Sequence, residues 1–66
     1  MTHSDSQIWN RDFDTARAEY HDRYANARQD TIRAQIAGFR LTLQGHSDNP
    51  IASGAIVGLA DLLQEA

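Results

Sequence analysis

Three histidines, at positions 3, 21 and 46, and nine acidic side chains are the groups in this chain with the widest chemical reach. Two ligands on one helix face need a spacing of about four residues. No histidine pair has that spacing, and His21 beside Asp22 does not share a face with it. Asp12 and Asp14 could suggest a general acid–base pair, but side chains two apart on a helix point to different faces. No Ser–His–Asp or Cys–His set can be assembled. There are no cysteines, so disulfides and thiolate metal sites are excluded. Met1-Thr2-His3 could chelate copper through a free amino terminus, as an incidental property. Histidine here reads as a solvated side chain. The expectation is a chain that is not an enzyme and has no cofactor and no metal site.

A different chemistry stands out in "WNRDFDTARAEYHDRYANAR", residues 9 to 28. Four rings, Trp9, Phe13, Tyr20 and Tyr24, are separated by charged and small residues. All six basic side chains are arginines, with no lysine. Arginine suits bidentate and stacking contacts, although a GC-rich codon bias explains the same excess. Tyrosine and tryptophan combine large area with a polar tip, which suits protein interfaces. Arg17 and Arg28 flank the rings on one side and Arg23 on the other.

The elements that carry these residues are helical. Ser4 and Gln7 have the form of a capping box, and Asp5 and Ser6 are equally good caps. From there to Gln44 only Gly38 weakens a helix. Glu19 precedes Arg23 by four, and Asp14–Arg17 and Asp30–Arg33 are three apart, so all three pairs suit a helix. Gly45 is placed for a left-handed residue after a helix end. Asn49-Pro50 reads as a cap followed by proline at the first helical position. No period-two alternation argues for a strand. The expected fold is all-α: one domain over 1–66, with residues 1–4 frayed, a long helix over 5–44, a tight turn over 45–49 and a short antiparallel helix over 50–65. This helical hairpin is expected to dimerise into a bundle.

At 100° per residue, Trp9, Phe13, Ala16, Tyr20, Tyr24, Ala27, Thr31 and Ala34 fall within about 80° of one another. Ile32, Ile36, Phe39 and Leu43 form a second stripe about 130° away, and Leu41 adds apolar surface elsewhere. The short helix presents Ile51, Ala52, Ala55, Ile56, Leu59, Leu62 and Leu63 on one face. At ~1.5 Å per residue the long helix reaches about 60 Å and the short one about 24 Å. The short helix should therefore cover the second stripe and leave Trp9, Phe13 and Tyr20 without a partner in the chain. An exposed aromatic seam must close on a second copy, on a target protein, or on both. Trp9, near the frayed end, is the best single external anchor. Gly54 and Gly58 form a G-x-x-x-G, and Gly38 is expected to face them in a close helix crossing. Val57 lies off the main apolar face and points to a further contact, again in an oligomer.

A net charge of −3 argues against a nucleic-acid binder. No signal-peptide core and no run of 18 apolar residues appears, so a cytoplasmic protein without membrane contact is expected. At the level of class, the small size, the Arg-only basic set, the missing cysteines and the seam "IWNRDFDTARAEYHDRY" resemble the small helical proteins that bacteriophages encode to disable host proteins. Anti-CRISPR proteins and anti-activators of quorum sensing are of this type. The resemblance implies a non-catalytic interaction module that binds and inhibits or redirects a larger bacterial protein in the host cytoplasm. The competing reading is an oligomerisation subunit of a two-gene system, antitoxin-like or chaperone-like.

Overall fold

The computed structural model describes residues 3–65, with side chains from Ser6 onward. Three helices are present: α1 (His3–Arg23), α2 (Gln29–Gly45) and α3 (Pro50–Glu65). No strand occurs among the described residues. None of their helices is long and apolar enough to cross a membrane. The backbone is already helical at His3, ahead of the expected caps and within the stretch expected to fray. Of that stretch, Met1 and Thr2, and with them the Met1-Thr2-His3 motif, lie outside the described residues.

The long helix expected over 5–44 is broken in two. The Tyr24 amide still donates to the Tyr20 carbonyl, but Ala25 donates to Asp22 and Ala27 to Tyr24, three residues back. The turn is therefore tightened before the chain leaves helical geometry. Arg28 is extended, with φ −69° and ψ 150°, and no side chain caps the helix that follows. Helical bonding resumes with the Ile32 amide on the Arg28 carbonyl. No residue here has a positive φ, and 24–28 contains neither glycine nor proline. Local propensity favours continuity, so tertiary burial decides the break. A straight helix would leave the Trp9–Tyr24 seam in water, whereas the reversal lays α1 against α3.

The helix α3 sits in the middle and packs on both neighbours, which do not pack backbone to backbone on each other. The arrangement is thin, 40 × 23 × 15 Å. Contacts of Phe13 with Gly54 and of Arg17 with Gly58 show α1 and α3 running parallel. The short link over 46–49 turns α3 back along α2. Ile32 and Ile36 form the core with Leu59 and Leu62, ringed by Tyr20, Tyr24, Ala27, Phe39, Ile56 and Leu63. Asn49 caps α3, its Oδ1 accepting from the Ala52 amide at 3.1 Å. Gly45 is the last residue of α2 and has no left-handed φ. The chain instead leaves α2 through His46, with φ −153° and ψ 89°, whose amide still bonds the Thr42 carbonyl.

Candidate functional site

At the α1–α3 crossing two helix backbones come into direct contact. A Cβ added to Gly54 would collide with the Phe13 carbonyl oxygen and lie 3.1 Å from the Ala16 methyl. One added to Gly58 would collide with the Arg17 carbonyl. Glycines four apart thus form a groove that receives the backbone of α1, with Ala16 buried beside it. Gly38, expected to face them, does not: nothing lies within 4 Å of a Cβ built there. The break at 24–28 carries α1, not α2, onto the glycines.

Polar contacts line the outer edge of the crossing. Arg17 donates to Asp61 Oδ2 through Nε at 3.0 Å and through Nη2 at 2.9 Å. This replaces the helical Asp14–Arg17 pair that spacing suggested. His21 Nε2 meets Glu65 Oε2 at 2.8 Å. That hydrogen bond, with the charges of Glu65, Asp22 and Asp61, raises the His21 pKa above its ordinary 6.5 against partial desolvation. Arg23 bonds Glu19 at 2.6 Å along α1 and stands over the Tyr20 ring, 4.9 Å from its centre. Among the described residues no three His, Asp or Glu side chains are arranged to hold a metal ion.

The seam rings are half-buried within the chain, which overturns the expectation that they lack a partner there. Trp9 stacks on Phe13 at 5.5 Å and donates from Nε1 to Asp48 Oδ1 at 2.8 Å, tying α1 to the α2–α3 link. Tyr20 stacks on Tyr24 at 6.1 Å and meets Phe39 edge-on at 5.2 Å, joining α1 to α2. Thr31 and Ala34, beyond the break, point outward. Of the arginines expected to serve the seam, Arg17 and Arg23 hold intramolecular pairs, while Arg28 is the exposed, extended residue just before α2.

The apolar surface left outside is elsewhere. Ile8 is 47% exposed, Ile51 52% and Leu41 67%. Ile51 stands at the mouth of a shallow groove of about 200 Å³ with Ala16 and Tyr20 in its wall and Asp12, Thr15 and Glu19 on its rim. Ile8, Asp12, Thr15 and Glu19 follow one another at helical spacings of 4, 3 and 4, so Ile8 extends the rim toward the start of α1. In the sequence this row is a faint second stripe beside the rings, and Ile51 reads as core because it shares the apolar face of α3. Compared with family models, curated proteins and solved structures, the chain matches none.

Proposed function

We propose that this chain is a non-catalytic interaction module that binds a larger bacterial protein stoichiometrically and blocks or redirects it. The observation that carries this reading is the groove at Ile51, with a second exposed aliphatic residue, Ile8, on the same face of α1 as its rim. Ile51, about half exposed, lines the groove with Ala16 and Tyr20 under an acidic rim, and Ile8, also about half exposed, lies further toward the start of α1. An apolar centre within a polar rim is the usual anatomy of a binding patch. The acidic rim suits an apolar segment flanked by basic residues. Supporting it, the groups that could act chemically are held in structural roles: Arg17 by Asp61, His21 by Glu65, Arg23 by Glu19. The seam rings hold the module in shape, and the surface beside them does the binding.

The test places a photo-crosslinking residue at Ile51 and irradiates bacterial cells producing the protein. A single heavy adduct, reproduced with the purified partner and lost in Ile8→Glu at unchanged helicity, supports the reading. Folded protein that gives no adduct from position 51 refutes it.

A further inference from the structure

We infer that two copies associate face to face through the side of α3 carrying Ser53, Val57, Ala60 and Gln64, with their α3 helices parallel. This face lies opposite the groove at Ile51 and does not depend on what that groove binds. The helix α1 covers α3 at Gly54, Gly58, Asp61 and Glu65. The helix α2 meets it around Ile56, Leu59, Leu62 and Leu63. At about 100° per residue, the arc left open is centred between Ser53 and Gln64 and includes the four named positions. Their spacings of 4, 3 and 4 are those of a coiled-coil seam. Ser53, Val57 and Ala60 are half-buried and small, so a second helix can approach closely.

Charge selects the occupant and its direction. Arg33 and Arg40 lie on the α2 edge of this face, and among the described residues neither takes part in an ion pair. The opposite edge carries Asp14, likewise unpaired, and Asp61, which already holds Arg17 within the chain. Counting from the turn, Arg40 is five residues before Gly45 and Ala55 five after Pro50, so the two are level along the antiparallel helices. Phe13 meets Gly54, which puts Asp14 at the same level as Ala55. By the same count Arg33 is level with Leu62, one residue from Asp61. A two-fold axis parallel to α3 therefore sets Arg40 over Asp14 and Arg33 over Asp61 of the other copy, twice. A perpendicular axis would set arginine over arginine. Sides of 40 and 23 Å give a face on the order of 900 Å², enough for the ~800 Å² per partner that stable interfaces bury.

The chain has no cysteine, so single cysteines report the geometry directly. Sedimentation equilibrium should show a dimer of the 7.4 kDa chain. Arg40→Glu should weaken it on the order of tenfold or more, and Arg40→Glu/Asp14→Arg should restore it. Ser53→Cys should oxidise to a covalent dimer, because the parallel axis sets position 53 against itself. Ile8→Glu should leave association unchanged, which separates this dimer from target binding. A monomer at all concentrations overturns the inference. So does a dimer that ignores the charge reversal, or one that Ser53→Cys cannot link.

Discussion

The carbonyl oxygen of Arg17 lies directly over Gly58, so close that a methyl group there would have to displace the backbone of α1. The same helix is then held at that height by the Arg17 side chain on Asp61, one turn further along α3. Gly58→Ala should therefore cost at least ~2 kcal/mol, because the obstructing group is backbone and cannot rotate away. Gly54→Ala, under the Phe13 carbonyl, should behave alike. Gly38→Ala is the control. Its Cβ enters open space on an exposed helix face, so it should stabilise by ~0.5–1 kcal/mol. Urea unfolding of the three variants checks the contrast. Equal effects at positions 38 and 58 would remove the close crossing from the fold.

The Trp9 indole on Asp48 is the tie between α1 and the link that starts α3. Trp9→Phe keeps the stack on Phe13 but loses the donor, and Asp48→Ala loses the acceptor. Each should cost about 0.5–1 kcal/mol, as expected for an exposed hydrogen bond. In a double-mutant cycle the two losses should not add. Additive losses would mean that the indole and the carboxylate act separately.

His21 gives the fold a pH dependence of known sign. Its pKa is raised in the folded chain, chiefly by the hydrogen bond to Glu65 and then by the neighbouring carboxylates. Folding therefore favours proton uptake at this ring. The stabilisation is fully present below the unfolded value near 6.5 and fades as pH rises through the higher folded value. NMR titration should place the His21 midpoint above 6.5, and Glu65→Gln should move it down. His21→Gln should flatten the decline of Tm across the same window. A midpoint at or below 6.5 would contradict the pairing.

Much of the helical content was legible, and for particular reasons. Asn49-Pro50 marks the start of α3 through a side-chain acceptor and a fixed φ, both local properties. Ile32 and Ile36 declare their burial by spacing, and the core keeps them. What was not legible is the reversal at 24–28, because Ala25, Asn26, Ala27 and Arg28 carry no breaker and α2 begins without a side-chain cap. The closeness of Gly54 and Gly58 to α1 shows where the reversal leads. On an unbroken helix the seam would be a surface; the reversal makes it an internal contact. Once α1 folds back, the rings Tyr20 and Phe39 become the bridge between helices, and Ile8 and Ile51 become the outer apolar groups.

Proline at position 29 tests the reversal itself. Gln29 is the first residue of α2, where a missing amide hydrogen leaves no helical bond unmade. Arg28 before it is already extended, with ψ 150°, the conformation that a following proline demands. Gln29→Pro should therefore fold normally and gain up to ~1 kcal/mol by restricting the unfolded chain. A helix continuous from α1 into α2 makes the opposite demand. In its interior proline would remove the bond to residue 25 and clash with that carbonyl, at a cost of ~3 kcal/mol or more. The two outcomes differ in sign, so a single urea titration of Gln29→Pro against the wild type decides between a bent chain and a straight one. Loss of stability would put α1 in line with α2, return the rings Trp9 to Tyr24 to the surface, and leave Gly54 and Gly58 without the helix they receive.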